Sequence, residues 1–355
     1  MKRVKLQHQG IHYDTGTTFR GPGYAISTRR ADLNLSVVRR ELEIIRDDLH
    51  ANAVRIGGSD VARMNAATEI SLSLGLEVWF SPAFYEYQPS ETTSRLVAAA
   101  RAVSALEEAH PGRVVFVAGS ELTLFVADLL PGKDVASRLA ALKADPSLLR
   151  DGKLNDYLAS LTAALRSTFT GPLIYASLPF EQVDWSLFDY VGVDYYREAR
   201  TKDRYVEMLQ PYLATGKPVI VTEFGMRTFR GAESSGVLGF GVTDTTRLYL
   251  HTRPVIGRFF RPRLNGIYER DEAMQGRELG ETIDELERAG VTGALLSTFA
   301  TPEAFTNDDP RYDVDMDSMS IVKYLPNGRH GATYPDMPWE PKESFAVVAR
   351  HFAAH

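Results

Sequence analysis

The 355-residue chain contains no cysteine, which excludes disulfides, thiolate metal sites and a cysteine nucleophile. It also lacks a marked excess of one charge. Forty Lys and Arg stand against 46 Asp and Glu, a net of −6, so neither nucleic acid nor an anionic membrane surface is favoured as a partner. No apolar run approaches the roughly 18 residues of a membrane span. The N-terminal stretch Met1-Lys-Arg-Val-Lys-Leu-Gln-His-Gln carries basic residues without the apolar core of a signal peptide. These absences point to a soluble, cytoplasmic protein.

Several catalytic signatures are missing too. No HExxH or other paired-histidine spacing exists for a catalytic metal, and no GxSxG elbow for a serine nucleophile, so neither a metal nor a cofactor is expected. The segment Gly16-Thr-Thr-Phe-Arg-Gly21-Pro-Gly23 has neither GxGxxG nor GxxxxGKS spacing, which argues against a phosphate cradle. Asp313-Val-Asp-Met-Asp317 alternates acids like a calcium loop. It lacks the glycine and the final glutamate such a loop requires, and reads as a solvated acidic loop.

What is present is a rhythm. The chain is 44% hydrophobic, and short β-branched runs alternate with longer stretches of helical period. Strands are expected at 10–14, 53–56, 76–80, 113–120, 173–177, 190–194, 218–223 and 291–299. Helices are expected at 35–50, 60–73, 91–110, within 127–168, at 278–289 and at 344–352. Eight strands in this order predict an α/β fold, a single (β/α)8 TIM barrel with elaborated βα loops, spanning 1–355 as one domain. A doubly wound open sheet would share the alternation, but the first strand is not followed by a phosphate-binding glycine turn. Residues 224–273 are too many for an ordinary βα loop and are expected to cover the barrel mouth.

Two of the apolar runs end in a carboxylate. Glu121 follows Val-Val-Phe-Val-Ala-Gly-Ser120, and Glu223 follows Pro218-Val-Ile-Val-Thr. In a barrel both stand at C-terminal strand ends, the face where active sites lie. Two such acids suit glycosidic bond chemistry, in which one carboxyl protonates the leaving oxygen and the other attacks the sugar.

The strand-four segment Val117-Ala-Gly-Ser-Glu-Leu-Thr-Leu-Phe125 and the strand-seven segment Ile220-Val-Thr-Glu-Phe-Gly225 resemble those of the clan A glycoside hydrolases. That resemblance implies Glu121 as acid/base and Glu223 as nucleophile. It implies Arg55 on strand two as the cation that holds the nucleophile, and Tyr195 or Tyr196 after strand six as the aromatic contacting it. Ser120 stands where the clan usually has an asparagine that bonds the hydroxyl beside the anomeric carbon. Phe299 stands nearest the clan's strand-eight tryptophan.

From the residues themselves, His12 and Asp14 at the end of strand one are candidates for binding substrate hydroxyls, His12 being alternatively a hydrogen-bonded rim residue. Tyr85, after strand three, offers a stacking surface; Trp79 reads as core. The function expected is a retaining glycosidase or transglycosidase acting on a small glycoside or from chain ends. Two alternatives stay open: a non-hydrolytic pseudoglycosidase that moves protons on a natural-product or sugar intermediate, and a barrel-derived binding protein. Neither the sugar nor the oligomeric state is fixed by the sequence.

Overall fold

The structure, a computed structural model, describes residues 4–18, 33–150, 152–235, 241–251, 253 and 255–353. Eight parallel strands close in chain order: β1 (His8–Asp14), β2 (Ala53–Gly58), β3 (Glu77–Pro82), β4 (Val114–Ser120), β5 (Leu173–Ser177), β6 (Val191–Asp194), β7 (Val219–Phe224) and β8 (Gly293–Leu296). Because β1 pairs with both β2 and β8, the sheet has no free edge. The eight-stranded barrel expected from the sequence is thus present. Residues 19–23 of the glycine-bearing segment lie outside the described residues.

The helices between strands are α1 (Leu35–Asp47), α2 (Val61–Ser73), α3 (Pro89–Ala109), α4 (Leu122–Phe125), α5 (Val135–Ala144), α6 (Lys153–Arg166), α7 (Tyr205–Met208), α8 (Gln210–Leu213), α9 (Ala232–Ser235), α10 (Thr245–His251), α11 (Glu272–Ala289) and α12 (Glu343–Ala353). Their starts follow local chemistry. Asn34 caps α1 by accepting from Ser36 N, and Asp60 caps α2 by accepting from Ala62 N and Arg63 N, which satisfies donors left open at a helix start. Asp145-Pro146 separates α5 from a short 3-10 turn, since proline cannot continue the helix.

Strand alternation divides the core. Ala53, Trp79, Val115, Val117, Ile174, Ala176, Ile220 and Leu295 form one buried cluster inside the barrel. Their strand neighbours, among them Val54, Val78, Phe80, Phe116, Val193 and Val221, join the larger cluster with the helices. Two strands break this alternation. On β4, Val117 pairs with Ile174 and Ser120 with Ala176; on β7, Val193 and Asp194 of β6 face Val221 and Glu223. Each strand therefore carries one extra residue near its C-terminal end, a bulge that re-aims the side chains around it.

Some local expectations change. Helix α11 begins six residues earlier than periodicity suggested, capped by Asp271. An antiparallel pair, β9 (Val322–Tyr324) with β10 (Trp339–Pro341), was not legible because each strand is only three residues long. The solvated acidic loop at 313–317 is corrected to an ion cluster. Asp315 is fully buried between Lys342 Nζ and Arg270 Nη1, each at 2.9 Å; Asp313 meets Arg270 Nη2 at 2.6 Å and Asp317 meets Arg227 Nε at 3.1 Å. The described part of 224–273 is laced to both neighbouring loops. Ala199 N donates to Glu233 O, Leu264 N to Arg311 O, and Thr243 Oγ1 to Asp317 Oδ2 at 2.6 Å.

Candidate active site

At the C-terminal end of the barrel the apolar interior gives way to charge. Two residues beyond Ala53, β2 projects Arg55, whose side chain is 3% exposed. Its Nε donates to Ser81 Oγ at 3.1 Å, and its Nη1 donates to the Thr222 carbonyl at 3.0 Å and to Glu223 Oε1 at 2.9 Å. Burial penalises this cation, but the Glu223 and Asp194 carboxylates outweigh the penalty and hold the guanidinium above its ordinary range. The second oxygen of Glu223 accepts from the Tyr196 hydroxyl at 2.7 Å. Burial and then the Glu223 charge raise that phenol well above its usual range, so it remains a donor.

Glu121 has a different environment. Burial raises its carboxyl well above the usual range, and the charges of Asp194 and Glu223 add to the effect. Its backbone is left-handed, φ 50°, a conformation that costs a non-glycine residue about 1–2 kcal/mol. The preceding bulge includes Gly119 at φ 141°, where a Cβ would lie 2.6 Å from the Leu122 side chain. Hydrogen bonds beyond Glu121 hold this turn. Leu122 N donates to Tyr175 Oη at 2.9 Å, that hydroxyl donates to Glu181 at 2.9 Å, and Thr123 Oγ1 donates to Glu181 Oε1 at 2.5 Å. Leu178 N closes the set on Glu181 Oε2 at 2.8 Å. Burial raises the Glu181 carboxyl itself.

Between the two glutamates lies a third carboxyl, Asp194 on β6, 2% exposed. Ser120 Oγ donates to its Oδ2 at 3.0 Å and Thr222 Oγ1 to its Oδ1 at 2.6 Å. Arg55 Nη1 is 3.8 Å from Oδ1. Burial and then the Glu223 charge push Asp194 up to about 8.

Other candidates sort by where they point. Tyr85 is half-buried, with its ring centroid 4.4 Å from that of Phe125. Burial and then the Glu223 charge raise its hydroxyl. His12 is in register with Arg55, and its ring fills the room that Gly57 leaves, since a Cβ there would run into His12 Nε2. Burial and then Arg55 lower His12 to about 3, so it is neutral at physiological pH. Asp14 is buried and accepts from Gly16 N at 3.2 Å and Thr17 Oγ1 at 2.8 Å, shaping the turn after β1.

Two candidates are not in the cleft. Tyr195 is buried among the helices: its hydroxyl donates to the Tyr205 carbonyl at 3.1 Å and Tyr205 reciprocates at 2.9 Å. Alternation allows only one of two successive tyrosines to face the barrel axis. Phe299 is fully buried, stacked on Tyr13 and edge-on to Trp339, so it is no platform for a sugar. Among the described residues, no group of three His, Asp or Glu side chains is placed to hold a metal ion.

Sequence reasoning passed over Asp194, Thr222, Ser81, Tyr175 and Glu181. Asp194 had a signal, an acid at a C-terminal strand end; Glu181, in the loop after β5, had none.

Neither protein-family models nor curated proteins match the chain. Solved structures do. The chain is similar to a GH113 β-1,4-mannanase at TM-score 0.58 and 10% identity, covering 100% of both chains. It is similar to the GH113 β-mannanase of Alicyclobacillus acidocaldarius at TM-score 0.55 and 14% identity, covering 99% of this chain and 98% of that one. The likeness to Bacteroides uniformis β-glucuronidase 2, TM-score 0.55 at 16% identity, covers 99% of this chain and 35% of the larger enzyme. The likeness shows the fold, a (β/α)8 barrel.

Proposed function

We propose that the chain is one catalytic domain, a retaining glycoside hydrolase or transglycosidase. One observation carries this reading: two glutamates at C-terminal strand ends have opposite environments, Glu223 between Arg55 and Tyr196, Glu121 in a buried turn that favours its protonated form. Unlike environments divide two carboxyls into a nucleophile and an acid. Glu223, oriented by Arg55 and Tyr196, attacks the anomeric carbon while Glu121 gives its proton to the departing oxygen. Once Glu223 is an ester its charge no longer bears on Glu121, whose affinity for the proton falls. Glu121 then takes a proton from the incoming water, or from a sugar hydroxyl in transfer.

His12, neutral and beside Arg55, offers a hydrogen bond to a substrate hydroxyl, and the Tyr85–Phe125 pair offers an apolar wall. The lacing of the loops after β6, β7 and β8 supports a small or chain-end substrate, because cross-linked loops restrict an open groove. The β-mannanase and β-glucuronidase neighbours make β-linked hexosides the first substrates to try. The test is a panel of aryl glycosides, furanosides included, run with a chelator present. Release of phenol with an initial sugar product of retained configuration by NMR is expected. Turnover of none of them, or inversion, would sink the reading.

A further inference from the structure

We propose that the excursion after β7 is a membrane-docking lobe: an apolar tip at Val255 and Ile256, backed by exposed arginines, inserts into the surface of an anionic lipid bilayer.

The lobe is built as a series of rungs. At its neck, Asn265 N donates to Val242 O, Thr243 bridges Leu264, and Asp244 N donates to Arg263 O. Farther along, Arg247 Nε donates to the Arg261 carbonyl at 2.8 Å. Next, Gly257 lies so close to the end of α10 that a Cβ on it would be 2.1 Å from His251 O. Each rung joins an earlier residue to a later one, so the chain reverses beyond the last of them, and Arg253, Val255 and Ile256 fall at the tip. The neck is fastened at the C-terminal face of the barrel, where Asp317, in the segment after β8, accepts from Val242 N, Thr243 N and Thr243 Oγ1.

What the lobe displays is unlike the rest of the chain. Residues 245–263 contain five arginines and no acid, a local excess that the net −6 of the whole sequence conceals. Arg263 meets Asp244 at 3.1 Å. Arg253, Arg258 and Arg261 are exposed, and among the described residues no carboxylate pairs with them. They lie instead over rings: Arg253 over Tyr249 at 4.0 Å, Arg258 over Phe259 at 4.8 Å and Arg261 over Tyr312 at 4.7 Å. Beside them Val255 is 73% exposed, Ile256 43% and Phe259 66%. These are three of the seven large apolar side chains exposed among the described residues. Single exposed apolar residues are ordinary, but a cluster within five positions marks a contact surface. Helix α10 buries none of its own residues, so core packing does not account for the lobe.

Charge and polarity select the partner. Unpaired guanidinium groups call for anions, and an apolar tip calls for a place away from water. An anionic lipid surface supplies both together, headgroup phosphates for the arginines and acyl chains for Val255 and Ile256. A soluble saccharide offers hydroxyls that valine and isoleucine cannot bind. Pairing the lobes of two copies would set like charges against each other.

The test is cosedimentation of the full chain with vesicles of phosphatidylcholine alone or mixed with phosphatidylglycerol. The mixed vesicles should carry the protein down and the neutral ones should not. Ile256→Asp, and separately Arg253→Gln with Arg258→Gln, should each weaken that binding about tenfold or more. All three positions are exposed, so the fold should survive, which circular dichroism checks. In Ile256→Trp, mixed vesicles should shift the indole emission to the blue, a change absent from the parent protein; this arm reports insertion even if another variant does not fold. No binding to mixed vesicles, or no shift of that indole, would overturn the proposal. So would undiminished binding by folded Ile256→Asp, which would make the lobe a site for any polyanion. Displacement from the vesicles by soluble glycerol phosphate would make it a site for free phosphate instead. A lipid-free dimer in sedimentation velocity that Ile256→Asp dissolves would put a second copy on the tip, and would equally sink the idea.

Discussion

The Tyr196 hydroxyl sits 2.7 Å from Glu223 Oε2, on the oxygen that Arg55 does not take. Held from both sides, the carboxylate cannot rotate freely, and such fixed orientation is a large part of what a nucleophile gains from its site. A half-buried tyrosine that donates to this group can be tested by removing a single atom.

Tyr196→Phe should reduce kcat/KM on aryl glycosides by roughly tenfold, the scale of one hydrogen bond to a charged group. Arg55→Lys should reduce it by a hundredfold or more, because one ammonium cannot reproduce three contacts made from a planar fork. Steady-state kinetics on folded variants checks both. Lysine at 55 with near-normal activity would show that only the charge matters there.

The two glutamates should fail differently. Glu223→Ala should lose turnover of every substrate, whereas Glu121→Ala should retain much of its activity on aryl glycosides whose leaving group needs no proton. Azide should rescue Glu121→Ala and give a glycosyl azide of retained configuration. With Glu223→Ala it should enter from the vacated side and give the inverted azide. NMR of the products decides: the opposite pairing means that the roles are exchanged, and no azide from either variant favours non-hydrolytic proton transfer.

Glu181 touches neither reacting bond in this scheme, yet it fastens Thr123 and, through Tyr175, Leu122. Glu181→Gln keeps its shape but makes one end of the side chain a donor where only donors face it. It should lower kcat at least tenfold on natural leaving groups and much less on activated phenols, because the fault would lie in protonation. Equal losses on both would place the damage outside the Glu121 turn.

Stability should depend on pH in two opposite ways. Asp194 lies at about 8 when folded against an ordinary 3.8, so the folded state binds the extra proton between these values. Its contribution is present below pH 4 and lost as the pH rises through 8. His12, lowered to about 3 from 6.5, contributes above pH 6.5 and loses that contribution as the pH falls toward 3. Thermal midpoints measured from pH 4 to 9 should therefore fall less steeply on the alkaline side for Asp194→Asn than for the parent protein. Parallel curves would mean that Asp194 does not titrate in this window.

The barrel was legible because its strands are runs such as Val114-Val-Phe-Val, apolar on both faces as a buried parallel strand must be. The glutamates were legible for the same reason: a charge ending such a run has one plausible place, the rim. Choosing between Tyr195 and Tyr196 was not possible from the sequence, because alternation says only that the two face opposite ways, and a parallel strand buried on both faces does not mark which side is inward. Phe299 misled since β8 ends at Leu296, three residues before it, so its direction was no longer set by the strand. Glu181 and Tyr175 meet Thr123 and Leu122, in the turn after Glu121, through tertiary contacts alone, and no spacing in the chain encodes such a meeting.

The bulge on β7 has a meaning for how such a site can arise. Removing Thr222 from the alternation leaves Ile220 inward, Val221 outward, the glutamate inward and Phe224 outward, the same faces that these four residues occupy now. The barrel thus reads the same with or without that one residue, and what the insertion adds is a hydroxyl at the centre of the charge cluster. A single codon gained at a strand end can enlarge an active centre without asking anything new of the scaffold around it.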